Sequence, residues 1–148
     1  MHPYPHVYAA TANGRPEGSV SVNSKGLPEI ASGPPPEFDG PGDVWSPETL
    51  LCASVADCFV LSFRALARAS GLEWSDLACR VEGVLERVDG VAQFARYTTF
   101  ASLKVSAESD AVKARRMLQK AEHVCLISNS LRGQRTLVTE VHYGSADS

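Results

Sequence analysis

The residues of this 148-residue sequence that are best suited to chemistry are its four cysteines, Cys52, Cys58, Cys79 and Cys125. A zinc site would need clustered ligands, but the sequence contains no CxxC motif. His123 and Cys125, two positions apart, are only a weak indication of a metal site. Two interpretations are therefore open for Cys58 and for Cys125: the residue is a reactive thiol, or it is a small buried hydrophobic residue. We assign the second, structural role to Cys52 and Cys79.

A reactive thiol needs a neighbouring cation or a helix N-terminus that stabilises its thiolate. Asp57, which directly precedes Cys58, carries the wrong charge for this purpose. Arg15 lies in the predicted turn NGRP and is either such a cation or a solvated loop arginine. Four further candidate cations are Arg64, Arg68, Arg132 and Arg135.

The composition is that of a soluble globular protein, with 44% apolar and 21% charged residues. The chain has 14 basic and 17 acidic residues, and the net charge of -3 argues against general nucleic-acid binding. The N-terminus lacks the pattern of a secretory signal, and the apolar stretch from Leu50 to Phe63 is too short for a membrane span. We predict one cytoplasmic domain over residues 1–148. Because thiols stay reduced in the cytoplasm, a structural disulfide framework is not expected.

Strand and turn signals predict a small N-terminal meander. Its strands are expected at Tyr4 to Thr11, Ser19 to Val22 and Pro28 to Ala31, with a turn at Asn13-Gly14. The segment from Ser32 to Asp43 is rich in proline and glycine, so regular structure is not expected there.

A long apolar helix is predicted after this segment. Ser46 is a good N-cap, Pro47 suits the first helical position, and Glu48 places an anion in the first turn. The helix is expected to run to about Ala69 and to stop at Gly71. Because it is apolar on most sides, we expect it to be a central helix wrapped by sheet.

The sequence pattern in the second half of the chain predicts a hairpin, a helix and a last strand. The hairpin strands are Leu77 to Val88 and Phe94 to Val105, joined at Asp89-Gly90. Asp110 could cap a second helix that ends just before Cys125, and the last strand is expected near Arg135 to Tyr143. The buried face of the second helix is predicted to contain Ala111, Ala114, Leu118 and Ala121.

Three motifs, in this order along the chain, resemble the Ohr/OsmC family of organic hydroperoxide resistance and osmotically inducible proteins. The triplet NGR at 13–15 resembles the arginine loop of that family. The segments SPETLL at 46–51 and ADCF at 56–59 resemble its helix with the peroxidatic cysteine, and HVCLISN at 123–129 resembles its second cysteine motif. Asp57 and Leu126 stand where typical Ohr members have a small residue and a proline.

The resemblance implies a role for four residues. Cys58 would be the peroxidatic thiolate and Cys125 the resolving thiol. Arg15 would hold the thiolate and the peroxide, and Glu48 would fix the arginine. The implied activity is a thiol-dependent peroxidase that reduces alkyl or lipid hydroperoxides to alcohols.

The resemblance also implies an architecture and partners. The fold would be α+β, an OsmC-like fold with curved antiparallel sheets wrapped around two central helices in an intertwined homodimer. The active sites would lie at the interface between the two chains. No metal, flavin or haem is expected, and an external dithiol, such as a lipoyl-bearing protein, would recycle the enzyme without nucleic acid or membrane partners.

Helix geometry adds a separate expectation. If Glu48 and Cys58 share one helix, ten residues of rise separate them by about 15 Å. An arginine that bridges both in one chain would be strained, so we expect Arg15 and Glu48 to reach Cys58 of the partner chain. A set of apolar residues could line a substrate entrance or belong to the core: Phe38, Trp45, Phe59, Leu61 and Phe63.

Two alternatives remain open at the level of sequence. The same dimer could bind a small apolar ligand or act as a redox sensor without catalysis, with Cys58 kept protonated by burial and by Asp57. A hydrolase that uses Cys58 with His123 is also conceivable, although no third group is evident that would orient the histidine.

Overall fold

The computed structural model describes residues 1–144 of the chain. Two three-stranded sheets and two long helices make up the α+β fold predicted from the sequence. The chain divides into two compact units, Met1–Leu50 and Leu51–Ser148.

The first unit contains the predicted meander. Strands β1 (Thr11–Asn13), β2 (Val20–Asn23) and β3 (Ile30–Ser32) form an antiparallel sheet in that order. Strand β1 begins at Thr11, where the predicted strand was expected to end, because β2 ends at Asn23, opposite Thr11, and offers no partner to the preceding residues. The predicted turn at Asn13-Gly14 is wrong, since Asn13 belongs to β1 and the chain bends at residues 16–18. The proline-rich segment forms only one short 3₁₀ turn at Pro36–Phe38.

Helix α1 (Pro47–Ser70) begins at the predicted cap. The backbone N–H of Thr49 donates to Ser46 Oγ at 3.1 Å, and the N–H of Ser46 donates to Thr49 Oγ1 at 3.0 Å. This reciprocal capping satisfies two N–H groups that have no partner within the helix. The helix ends at Gly71, whose φ of 71° is unfavourable for residues with a Cβ atom.

The second unit contains a mixed sheet. Strands β4 (Trp74–Val88) and β5 (Val91–Val105) form the predicted hairpin, and Asp89 and Gly90 both have positive φ, as a type I′ turn requires. Strand β6 (Gln134–Tyr143) pairs with β5 in parallel. The resemblance implied antiparallel sheets, and this parallel pair is the exception. The intervening helix returns the chain to the start of β5, so the two strands run in the same direction.

The segment between β5 and β6 contains two helices. Helix α2 (Ala111–Val124) buries the four predicted residues, and a one-turn helix, α3 (Leu126–Asn129), follows it. Asp110 precedes α2 but makes no side-chain capping bond, because it ends a 3₁₀ turn and is itself in helical conformation. Cys125 is the only residue between α2 and α3.

The core of the second unit lies between the C-terminal sheet and one face of each long helix. From α1 it includes Phe59 and Phe63, whose exposed fraction is 0%. These two residues therefore belong to the core and do not line a substrate entrance in this chain. Leu103 of β5 and Leu118 of α2 are equally buried and pack in the same cluster.

Most of helix α1 is not buried, in contrast to our expectation. Its buried residues form one stripe, spaced four residues apart: Val55, Phe59, Phe63 and Ala67. An 18-residue window of α1 has a mean hydropathy of 1.8, but only 22% of that window is buried. The helix is thus longer than the apolar stretch considered from sequence, and its length and hydropathy would also meet the requirements of a membrane span.

Candidate active site

Cys58 lies in the middle of α1 and is partly buried. Its Sγ is 4.0 Å from the hydroxyl oxygen of Ser62, one turn further along the helix. Val55, one turn before Cys58, belongs to the buried stripe of α1. The cysteine therefore sits at the edge of that stripe and is only partly buried.

Cys125 is completely buried at the junction of α2 and α3. Its backbone is extended, with φ −61° and ψ 105°, so it interrupts the helical segment. Its Sγ lies 4.0 Å from the backbone carbonyl oxygen of Val55 on α1. This contact bridges 70 residues of sequence and brings Cys125 to the stretch of α1 that also contains Cys58.

The structure brings Cys58 and Cys125 close together, near enough for the Cys58 thiol to raise the pKa of Cys125. Burial raises the pKa of Cys125. Ser128 opposes the rise by hydrogen bonding to the sulfur with its side chain and backbone, whereas Cys58 adds to it. Cys125 is therefore held as a neutral thiol beside a more accessible one.

The other two cysteines do not belong to this pair. Cys52 lies six residues before Cys58 and faces the backbone of Gly83 on β4, and burial raises its pKa. Cys79 is on β4 and packs against the core. Burial raises the pKa of Cys79 to about 12, and the neighbouring Cys125 and Glu122 contribute to the rise.

The thiol of Cys79 is expected to resist alkylation in the folded protein. Because its pKa lies near 12, almost no thiolate is present at pH 8. Iodoacetamide labelling followed by peptide mass spectrometry should modify Cys79 only after unfolding in urea. Equal labelling of folded and unfolded protein would contradict the buried position of Cys79.

The raised pKa of Cys79 also makes the stability of the fold depend on pH. The ordinary thiol pKa is 9.0, so the neutral Cys79 thiol stabilises the fold below pH 9, and this contribution declines as the pH rises towards 12.

Arg15 and Glu48 both lie in the first unit. Arg15 is exposed in the loop after β1. Glu48 is in the first turn of α1, and its Oε2 is buried without a hydrogen-bond partner among residues 1–144. Within the same residues, the ion pairs include none between Arg15 and Glu48.

Arg135, one of the candidate cations of the sequence, binds a carboxylate and an amide. It forms an ion pair with Glu122, with 2.7 Å between Nε and Oε1. Its Nη1 donates to Asn129 Oδ1, also at 2.7 Å. Sequence reasoning missed the partners of Arg135 and the contact of Ser128 with Cys125, since these residues have no distinctive spacing.

The hydrolase alternative, which pairs Cys58 with His123, receives little support from the side chains. His123 is exposed at the end of α2, and no hydrogen bond of the described chain joins its ring to a cysteine. In that part of the chain, there is no group of three or more His, Cys, Asp or Glu residues that could hold a metal. Two open pockets of about 270 Å³ lie elsewhere in the second unit, around Phe100 and beside Tyr97.

Comparisons with known proteins define the family. The profile described as "OsmC-like protein" matches residues 40–140, which include both Cys58 and Cys125. The chain therefore belongs to the OsmC-like protein family.

Two individual proteins illustrate the similarity. The uncharacterized protein YmaD of Bacillus subtilis (strain 168) is 30% identical over 109 residues, which are 72% of this chain and 73% of YmaD. An organic hydroperoxide resistance protein OsmC from Legionella pneumophila is 25% identical, with a TM-score of 0.73, and the match covers 95% of this chain and 99% of that one.

A third protein shows the fold alone. An OsmC-like protein of unknown function from Vibrio cholerae has a TM-score of 0.79 at 17% identity, covering 93% of this chain and 99% of that chain. Family membership and these structural similarities together show that the chain has the fold of the OsmC-like proteins.

Proposed function

We propose that this protein is a thiol-dependent peroxidase that reduces organic hydroperoxides to alcohols. The observation that carries the proposal is the proximity of Cys58 and Cys125, which lie 67 positions apart in sequence: Cys125 Sγ is 4.0 Å from the carbonyl oxygen of Val55, one turn before Cys58 on α1. One thiol is accessible and the other is fully buried, which are the environments expected of a peroxidatic and a resolving cysteine.

The reaction proceeds in two steps. The Cys58 thiolate attacks the terminal peroxide oxygen, the O–O bond breaks, and the alkoxide leaves and takes up a proton as the alcohol. Cys58 is then a sulfenic acid. The Cys125 sulfur attacks the Cys58 sulfur, and an S–S bond replaces the S–O bond as water leaves with the Cys125 proton. An external dithiol, such as a lipoyl-bearing protein, reduces the disulfide and completes the cycle.

Arg15 stabilises the thiolate and the developing alkoxide in this proposal, and Glu48 holds the guanidinium group. The buried, unpartnered Oε2 of Glu48 supports this role, because a buried carboxylate requires a partner. Glu48 and Cys58 are ten residues apart on α1, about 15 Å of helical rise. We therefore infer that Arg15 and Glu48 act on Cys58 of a second chain.

The apolar surface of α1 supports an intertwined homodimer. A helix with a mean hydropathy of 1.8 and only 22% of its window buried requires a cover in a soluble protein. A second copy of this chain provides that cover and supplies the active-site arginine at the same time. The matched residues 40–140 run across the boundary between the two units, which supports one OsmC/Ohr-like domain over residues 1–148.

Exposed apolar side chains favour an organic substrate over hydrogen peroxide. Phe38 and Trp45 are 55% and 49% exposed in the first unit, and Leu61 on α1 is 51% exposed. An alkyl or lipid hydroperoxide gains burial at such residues, and hydrogen peroxide does not. The proposed chemistry requires only thiols and an arginine, with no metal, flavin or haem, and we infer a cytoplasmic location, where thiols stay reduced.

Steady-state peroxide consumption tests the proposal. We expect the reduced protein to turn over cumene hydroperoxide with a dithiol donor much faster than hydrogen peroxide. Comparable rates with both would contradict the substrate class but keep the peroxidase. Absence of turnover with several dithiols, in a protein that still forms the Cys58–Cys125 disulfide, would contradict the enzyme and indicate a redox sensor or ligand-binding module.

A further inference from the structure

Arg135 on β6 connects the residues on both sides of Cys125. Its Nε donates to Glu122 Oε1 at 2.7 Å, and its Nη2 donates to the backbone carbonyl oxygen of Glu122. Its Nη1 donates to Asn129 Oδ1 at 2.7 Å. One side chain, anchored on a strand of the C-terminal sheet, thus contacts the last turn of α2 and the end of α3.

Asn129 closes the same turn from within. Its Nδ2 donates to the backbone carbonyl oxygen of His123 at 3.1 Å, and its backbone N–H donates to the carbonyl oxygen of Cys125 at 2.9 Å. Arg135 fixes the Asn129 side chain that makes the first of these bonds. Residues 122 to 129 therefore form a closed loop around Cys125.

The backbone around Cys125 requires this support. Cys125 has a ψ of 105°, so the hydrogen-bond ladder of α2 does not continue into α3. Helix α3 has four residues, and a single helical turn is not stable by itself. The direction in which the Cys125 side chain points is consequently determined by tertiary contacts rather than by a regular helix.

An arginine suits this position better than a lysine would. Its planar guanidinium group presents several N–H donors in a fixed arrangement, and here three of its nitrogens donate to two different residues. The side chains of Arg135 and Glu122 are 29% and 17% exposed. Solvent therefore screens this ion pair less than it screens the exposed ion pairs Arg80–Glu82 and Arg96–Glu86. The contact is therefore rigid as well as specific.

We infer that Arg135 is a positioning residue for the resolving step, since it holds the Cys125 sulfur against Cys58 through Glu122 and Asn129. This inference rests on the proposed function for its role in turnover. The Cys58 sulfenic acid has two fates: Cys125 displaces its oxygen as water, or a second hydroperoxide oxidises it to sulfinic acid and is reduced to alcohol. A well-placed Cys125 favours the first fate.

The variant Arg135→Lys tests this role, because lysine keeps the positive charge but cannot make all three hydrogen bonds to Glu122 and Asn129. We expect formation of the Cys58–Cys125 disulfide to slow about tenfold, since small misplacements of reacting groups have large effects on rate. The rate at which the first equivalent of cumene hydroperoxide is consumed should not change, and sulfinic acid at Cys58 should accumulate. The matched control is Arg96→Lys on β5, which changes a single exposed ion pair with Glu86.

A second variant and a second oxidant keep the test decisive. Asn129→Ala should shift the same balance in the same direction by a smaller amount. Equilibration with glutathione buffers measures how strongly Cys58 and Cys125 favour their disulfide and needs no peroxide activity, so it separates this inference from the proposed function. Unchanged disulfide yields and redox equilibria in both variants, with the fold intact by thermal unfolding, would overturn the role of Arg135.

Discussion

Replacement of Cys58 by serine is expected to reduce the turnover of cumene hydroperoxide by at least about a thousandfold, because a hydroxyl cannot replace a thiolate as the nucleophile. The side chain borders Ser62 and Cys125 and is only partly buried, so serine fits without disturbing the core. Peroxide consumption with a dithiol donor measures the effect. Thermal unfolding should give nearly the same midpoint for both proteins.

The matched control is Cys52→Ser, six residues earlier on the same helix. Cys52 is partly buried as Cys58 is, but it faces Gly83 and not Cys125. We expect this variant to keep the activity of the parent protein. If Cys58→Ser retained turnover, or if Cys52→Ser lost it in a folded protein, the assignment of the peroxidatic cysteine would be wrong.

The variant Arg15→Ala is expected to lower the turnover of organic hydroperoxide by about a hundredfold, the usual loss when one donor to a developing oxyanion is removed. Arg15 is exposed in the first unit, so the change should leave the fold of the single chain intact. Arg87→Ala is a suitable control, since Arg87 is also exposed and, among residues 1–144, its side chain hydrogen-bonds only the carbonyl oxygen of Gly90. This control should keep full activity.

Mixed dimers test which chain supplies the arginine. Co-expression of differently tagged Arg15→Ala and Cys58→Ser chains gives dimers in which one site can contain both native residues, provided that they come from different chains. By two-fold symmetry such dimers should regain about half of the parent activity. Inactive mixed dimers would show that Arg15 acts on Cys58 of its own chain, which would contradict the proposed arrangement across the interface.

Local signals in the sequence were sufficient to predict most of the secondary structure. The cap at Ser46, the stop at Gly71 and the turn at Asp89-Gly90 each depend on a few neighbouring residues, and all three are confirmed. The parallel pairing of β6 with β5 and the short helix α3 were not predicted. These features depend on how distant segments meet, which periodicity within one segment does not encode.

The prediction for α1 was wrong about burial for a related reason. Its apolar residues surround the helix, yet one chain covers only the stripe that includes Val55 and Phe59. Hydrophobic patterning shows that a surface must be covered but does not show which chain covers it. The same limit applies to Arg135, whose contacts with Glu122 and Asn129 link three elements and leave no local pattern.

A single turnover with an organic hydroperoxide shows directly whether Cys58 and Cys125 react as a pair. The fully reduced protein is treated with a single equivalent of cumene hydroperoxide, quenched by alkylation, and digested for peptide mass spectrometry. We expect one equivalent of cumyl alcohol and one disulfide, between Cys58 and Cys125, while Cys52 and Cys79 remain thiols. Unconsumed hydroperoxide, or consumption that leaves Cys58 and Cys125 both reduced, would contradict this expectation.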